Sequence, residues 1–504
     1  MAQDLTYRLY IDGKWVDASG DETLTVINPA TEAEIGVVPQ ASVDDARAAI
    51  KAARTAFDEG PWGRSTPKER AAVIGRMADI LQRRWDELIE LNIAEAGSTR
   101  MLAQFLQVGA PLEHLRDYAE RVLPSYQFDT PMMPYIGAGG MAGIGQGVVQ
   151  REAIGVAALI TPYNFPLFLN VFKLGPALAA GCTTVLKPSP DTPLEALILG
   201  EIAEEAGLPP GVLNIVTGDI DASAELTRNP MVDMVSFTGS DAVGRRVYAQ
   251  ASDTLKRVVL ELGGKSANII FEDADLAKVV PNVIQNFTIH AGQGCSLLTR
   301  TLVHESLFDE LVGQLKYGLD QVKVGDPADD SVGMGPLISA AQRERVEALV
   351  RTGQNEGGQI AYGGNRPTGL SGSNGSDGSN KGFFFEPTVF VDVDNSMTIA
   401  RREVFGPVSV VIPFKDDEQA IAIANDSDFG LGGGVWSGDP VRAYQTARRI
   451  RTGSVIVNGG GGGGLNPYAP FGGYKQSGLG REWGTAGLEE YLQQKAITWG
   501  AGNA

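Results

Sequence analysis

A chain of 504 residues is too long for one hydrophobic core, so two or three lobes are the starting expectation. Its 42 Lys and Arg against 61 Asp and Glu give a formal charge of −19, which argues against nucleic acid and anionic membrane as partners. Two cysteines exclude a disulfide framework, and three histidines without a CxxC or HExxH pattern argue against a dedicated metal site.

The opening stretch, MAQDLTYRLYIDGKW, lacks the apolar core of a signal peptide, and no segment approaches a membrane span. A reducing cytoplasm is therefore the expected compartment. LYIDGKW and TLTVINP are expected as two short strands around a turn, followed by helical patterns over residues 43–57 and, with breaks, 67–123. From Gly155 the period changes. GVAALI, TTVLKP, VLNIV and MVSF are short apolar runs followed by turn residues and, usually, a helical pattern, the signature of a parallel sheet covered by helices. A second alternation after Leu262, with SANIIF, RTLVHE and SVIVN as strands, places a boundary near Gly263. The fold class is α/β. Residues 367–382, PTGLSGSNGSDGSNKG, are expected as a low-complexity loop.

In a doubly wound sheet a dinucleotide binds at the carboxyl ends of strands, where turns lead into helix N-termini. MVSFTGSDAVGRRV fits such a place, with Gly239 and Gly244 bracketing a GxxxxG turn. Alone it is equally a tight turn. Lys187 closes another strand and is either a solvated lysine or a point charge for ribose or phosphate. Of the two cysteines, Cys182 in LAAGCTTVL reads as a small buried hydrophobe. Cys295 in HAGQGCSLLTR follows glycines that permit close backbone approach, and a helix terminus there would lower its thiol pKa. Glu261 ends the apolar run RVVLE, so it is protonated, paired or functional. Asn164, in the turn TPYNFP, either caps a helix or points at a developing oxyanion.

Taken together, TPYNFP, KPS, FTGSDAVG, ELGGKS, GQGC, EVFGP and PFGGYKQSG resemble, in order, the motifs of the aldehyde dehydrogenase superfamily across nearly the whole chain. Glu261 and Cys295 stand 34 residues apart, the spacing of that family. The resemblance implies a Rossmann-like NAD(P)-binding domain (1–128 and 152–263), an α/β catalytic domain (264–479) and a small β oligomerisation domain (129–151 and 480–504). It implies a small-molecule aldehyde as substrate and a homo-oligomer, dimer or tetramer.

By the same resemblance Cys295 is the nucleophile, Asn164 the oxyanion donor and Glu261 the base that activates water to hydrolyse the thioester. Lys187 is implied as the adenine-ribose ligand, Ser240 as the pyrophosphate contact, Glu403 as the nicotinamide-ribose anchor and Phe405 as its packing partner. Ile160, Thr161, Pro162, Tyr163, Ser189, Pro190, Gly218, Phe237, Thr238, Gly239, Val243, Gly244 and Leu262 would complete the cofactor site. Phe168, Phe172 and Ser296 would meet the substrate.

Two departures from the family pattern carry information. Pro190 stands where many NAD-preferring members place a glutamate that repels a 2′-phosphate, so NAD is expected as the main cofactor with NADP possible. Gly459–Gly464 stand where relatives often carry bulky residues, so the segment is either a wide mouth for bulky or extended aldehydes or an incidental flexible loop, and the scarcity of polar selectors leans to an aromatic or long aliphatic aldehyde. A CoA-acylating relative usually lacks the glutamate of ELGGK, and a crystallin-like relative drops catalytic residues that are present here. A papain-like hydrolase needs a histidine partner, and nothing in sequence pairs His114, His290 or His304 with Cys295.

Overall fold

The computed structural model describes residues 7–136, 144–370, 381–460, 466 and 468–501. Two parallel-strand sheets organise them. The first runs in the order Lys14–Val16, Leu9–Ile11, Leu213–Ile215, Thr183–Lys187, Val156–Ile160, Met234–Thr238, Arg257–Glu261, Gly478–Leu479, and the five strands from Leu213–Ile215 to Arg257–Glu261 are parallel. These central strands are almost wholly buried, as a sheet with helices on both faces requires. From Val156–Ile160 the chain moves outward to one side, then returns to Met234–Thr238 and moves outward to the other. The reversal opens a crevice at the carboxyl ends of these two neighbours, where such sheets bind ligands.

The second sheet has the order Gln359–Tyr362, Thr388–Val391, Val408–Phe414, Arg300–His304, Ala267–Ile270, Gly433–Trp436, Ile456–Val457. The chain passes from Glu261, at the carboxyl end of the first sheet, to Ala267, at the amino end of the second, in one short connection. Facing sheet ends therefore meet around residues 261–267. Ser477 ties this junction: its hydroxyl donates to the Gly263 carbonyl at 2.7 Å and accepts from the Gly430 N–H at 2.9 Å.

A third, antiparallel sheet joins Asp129–Pro131, Ile144–Ala153 and Leu492–Ala501, with Leu492 opposite Ala153 and Ala501 opposite Ile144. The amino-terminal expectation needs correction. LYIDGKW is itself a hairpin, turned by Asp12 and Gly13 at φ 56° and 69°, the backbone an Asp-Gly turn favours. TLTVI pairs instead with Glu34–Pro39. The helical run 67–123 resolves into Pro67–Arg83, capped by Thr66 with Glu69, Trp85–Ala96, and a longer stretch carrying a π-type turn at Ala103–Gly109. The low-complexity expectation for 367–382 lies largely outside the described residues, as does most of the Gly459–Gly464 segment. No helix among the described residues is long and apolar enough to cross a membrane.

Two fully buried carboxyls, Glu95 and Glu195, meet where the helices Trp85–Ala96 and Leu194–Glu205 come together. The Leu194 N–H donates to Glu95 and the Leu167 N–H to Glu195, at 2.6 and 2.9 Å. Burial pushes Glu195 up to about 8, and burial with Glu195 as neighbour also raises Glu95. Protons held in the fold are lost by the unfolded chain above its carboxyl pKa of about 4.3. The stability they contribute is complete below that pH and disappears as pH rises through about 8. Glu195→Gln is expected to flatten this loss, seen as a smaller fall in urea midpoint between pH 5 and 8 than in the unsubstituted protein.

Candidate active site

The helix Pro166–Ala180 is buried along its whole length, starts with proline at its first position and ends at Gly181 in the left-handed region. Asn164, just before it, is buried and does not cap it. Its Nδ2 donates instead to the Gln293 carbonyl at 2.8 Å, and its Oδ1 has no hydrogen-bond partner among the described residues. An amide nitrogen carries two protons, so one stays free for a ligand. Gln107, on the π-type turn, donates to the Asn164 carbonyl at 3.0 Å and fixes that backbone from the other side.

Cys295 sits in a turn, beyond the helix Leu276–Thr288 and a short turn containing three successive left-handed residues, His290, Ala291 and Gly292 (φ 48°, 50° and 72°). For the two non-glycines this costs about 1 kcal/mol or more each, held by surrounding bonds. Gln293 supplies them. Its Nε2 donates to the His290 carbonyl at 3.0 Å, and its Oε1 accepts from the Ile338 N–H at 3.0 Å. Gln293 was not anticipated, although a fully buried glutamine in a glycine-rich turn is itself a signal. Gly264 packs against the far side of the turn, where an added methyl carbon would lie 2.4 Å from the Cys295 carbonyl oxygen.

The expected helix terminus beneath Cys295 is absent. The thiol is pushed well above its usual range, first by burial and then by the Glu261 carboxyl facing it. Glu261, 2% exposed at the end of its strand, is pushed up to about 8 by burial, with Glu482 adding repulsion and Lys173 and the thiol opposing it. Neither Glu261 oxygen has an ordinary hydrogen-bond partner among the described residues. Thiol and carboxyl are thus an uncommitted pair. Behind them lies a buried ion pair, Lys173 with Glu482, Lys173 also donating to the Ser236 hydroxyl at 3.0 Å. Sequence reading missed both, although a lysine inside the apolar run PLFLNVFKLGPALAA is a visible anomaly. His290 is buried, neither ring nitrogen has a hydrogen-bond partner among the described residues, and burial holds it down to about 4, so it is neutral.

One aromatic cluster contains Cys295 together with Phe165, Phe168, Phe172, Phe471, Trp483 and Leu431. Phe168 stacks on Phe172 at 4.0 Å, and Phe471 on Trp483 at 4.3 Å. Phe172 is almost fully buried and also stacks on His114, so it forms the rear of the cluster. Ser296 is half-buried beside Cys295, and its side chain makes no hydrogen bond among the described residues. Cys182 is wholly buried, its thiol pushed up to about 11, and donates to the Tyr491 carbonyl at 3.5 Å.

The other cofactor candidates gather at the crevice of the first sheet. Ile160, Thr161, Pro162 and Tyr163 leave Val156–Ile160, Lys187, Ser189 and Pro190 leave Thr183–Lys187, and Phe237, Thr238 and Gly239 leave Met234–Thr238. Ser240 caps the helix Asp241–Ala251, its hydroxyl accepting from the Val243 N–H at 3.3 Å, and Val243 is exposed. Gly244 lets that helix close on Leu262, whose Cδ2 would lie 2.4 Å from an added methyl carbon. The Gly239 N–H is committed to the Glu261 carbonyl at 3.1 Å. Lys187 is buried, its ammonium pulled down to about 8 by desolvation against the opposing pull of Asp219 and Asp191. Gly218 is buried against Ala41, to one side. Glu403 accepts from the Gly264 N–H at 2.9 Å and is pushed up to about 7, mainly by burial. Phe405 meets Tyr163 edge-on at 5.9 Å between ring centres. A helix N-terminus, the buried Thr238 hydroxyl, unpartnered among the described residues, and a buried lysine along one crevice fit a dinucleotide.

Among the described residues no group of three or more His, Cys, Asp or Glu is placed to hold a metal ion. The model of the aldehyde dehydrogenase family matches residues 15–497.

The chain belongs to the aldehyde dehydrogenase family.

This aldehyde dehydrogenase is 42% identical over 491 residues to a Pseudomonas protein named 3-succinoylsemialdehyde-pyridine dehydrogenase, covering 97% of each chain. Among solved structures, a Mycobacterium tuberculosis aldehyde dehydrogenase complexed with NAD+ shares 43% identity at a TM-score of 0.91, with 97% of each chain covered. A Pseudomonas syringae aldehyde dehydrogenase C, a cysteine-to-alanine mutant complexed with NAD+ and octanal, shares 40% identity at 0.90, covering 98% of this chain and 97% of its own.

Proposed function

We propose that this enzyme oxidises an aromatic or long aliphatic aldehyde to the carboxylic acid with NAD+, through a thiohemiacetal and a thioester on Cys295. The observation that carries the reading is the Cys295 thiol facing the unpartnered Glu261 carboxyl, beside an Asn164 amide held by Gln293. Glu261 takes the thiol proton. Sulfur then attacks the aldehyde carbon, and the carbonyl electron pair moves to oxygen, where the free Asn164 N–H and the Cys295 backbone N–H receive it. Bound NAD+ supplies the nicotinamide ring that accepts the hydride as the carbonyl re-forms. Glu261, relieved of its proton to solvent, takes another from water. The resulting hydroxide adds to the thioester, the C–S bond breaks and acid leaves.

Lys187 and Glu403 would hold the two riboses, and Ser240 with its helix the pyrophosphate. Both related structures are bound to NAD+. Pro190 offers no carboxylate against a 2′-phosphate, whereas Asp191 and Asp219 set a negative field around Lys187. NAD+ is thus preferred, with NADP+ used weakly. The aromatic cluster at Cys295 supports a ring or a long chain, as do the pyridine in the Pseudomonas relative's name and the octanal of the Pseudomonas syringae complex. The separate sheets support an NAD-binding domain of 1–128 and 152–263 and a catalytic domain of 264–479, with the edge strand Gly478–Leu479 reaching back to the first sheet. The outer strand Leu492–Ala501, with Ile497 and Trp499 half-exposed, supports the third segment as a homo-oligomer contact.

The test is NADH formation from acetaldehyde, octanal and benzaldehyde with each cofactor. Octanal or benzaldehyde should exceed acetaldehyde in kcat/KM, with NAD+ favoured over NADP+ by less than about a thousandfold. Trp483→Ala should weaken benzaldehyde more than acetaldehyde, by about tenfold against little change. Equal losses would remove the aromatic wall from substrate choice.

A further inference from the structure

Lys265 and Ser266 follow the Glu261–Gly264 turn and line a small cavity with room for about one water-sized sphere. Its lining includes Arg300, Phe429, Leu431 and Thr452, and no carboxylate. Lys265 is 1% exposed, and neither its Nζ nor the Ser266 hydroxyl has a hydrogen-bond partner among the described residues. Arg300 is equally buried. Its terminal nitrogens donate to Asn395, Ile423 and Ala424 at 2.7, 2.6 and 2.9 Å, while its Nε has no partner among the described residues.

Two buried basic groups on one cavity without a lining anion are an unbalanced arrangement: desolvation and the neighbouring Arg300 pull Lys265 down to about 7, and an anion bound beside it would restore its charged form. Glu403 acts on Lys265 and Asp426 on Arg300 as opposing charges, while Arg300 repels Lys265 and Arg401 repels Arg300. Lys475 gives its ammonium to the Asn425 and Ser427 carbonyls at 2.8 and 3.0 Å, bringing a third cation to the neighbourhood. The free space suits a species little larger than one water.

We propose that this cavity is a structural site for one monatomic anion of chloride type, held by Lys265 Nζ and the Ser266 hydroxyl with the Arg300 guanidinium as counter-charge. The anion satisfies two orphaned donors at the root of the turn that carries Glu261 and Gly264. It takes no part in the oxidation.

Bromide replaces chloride and scatters anomalously, so crystals of the full chain soaked in sodium bromide should show an anomalous peak between Lys265 and Ser266. In solution the melting temperature should rise saturably with sodium chloride relative to sodium gluconate at equal ionic strength. Ser266→Ala should weaken the half-saturating chloride concentration about tenfold, the scale of one charge-assisted hydrogen bond. Lys265→Met should abolish the chloride response. If Lys265→Met does not fold, the Ser266→Ala titration and the bromide peak decide by themselves. A water at that place without anomalous signal, or a chloride response unchanged in the variants, overturns the proposal.

Discussion

Glu261→Gln is expected to release one equivalent of NADH per active site and then stall. Glutamine keeps the volume and buried position of the side chain but accepts no proton, so the thioester forms slowly and its hydrolysis loses the base. Loss of a positioned base costs about 10²–10⁴-fold, and steady-state turnover should fall by that factor. Stopped-flow absorbance reads the burst, and intact-protein mass spectrometry reads the acyl group on Cys295. The unsubstituted enzyme adds a second signature. Burial holds Glu261 protonated until about pH 8, so hydrolytic turnover should climb through that region, and Glu261→Gln should lose this limb. Steady-state turnover unchanged in the variant, with no trapped acyl group, would contradict the assignment.

Asn164→Ala is expected to lower kcat by about 10²–10³, the usual loss for one oxyanion donor, with a much smaller change in KM. The same substitution leaves the buried Gln293 carbonyl without its partner, which costs about 1–3 kcal/mol of stability. The two effects separate by measurement. Thermal denaturation reports the lost tie, whereas kcat at a temperature where both proteins are folded reports the lost donor. A loss confined to KM would mean that Asn164 binds substrate without meeting the oxyanion.

The parallel-sheet half of the fold was legible because buried βα units write themselves as short apolar runs with glycine, proline or serine at their ends. GVAALI and MVSF became adjacent central strands for that reason. The amino-terminal pairing was less legible. Asp12-Gly13 is a hairpin signal two residues long, easily read as a turn within one strand, and the partner of TLTVI is half-exposed with weak alternation. At the site, Cys295, Glu261 and Asn164 stood out because each is a reactive or polar group at the end of an apolar run. Gln293, Lys173 and Glu482 were missed because their roles depend on partners up to hundreds of residues away. The supposed helix beneath Cys295 failed for a local reason. The chain leaves helical geometry at Ile289 and enters three left-handed residues, a backbone that His290 and Ala291 do not advertise.

The order in which residues reach the site also has a consequence for synthesis. Cys295, Glu261 and Asn164 all belong to the first three-fifths of the chain, but Phe471, Ser477, Glu482 and Trp483 come near its end, as does the strand that covers Ile144–Ala153. A ribosome that has made Cys295 has not yet made the wall enclosing it, the tie between the sheets or the carboxylate partner of Lys173. During the seconds of elongation that remain, the cysteine is present and the oxidation site is not. The enclosed, paired arrangement around Cys295 is therefore complete only after residues 471–501 have been made.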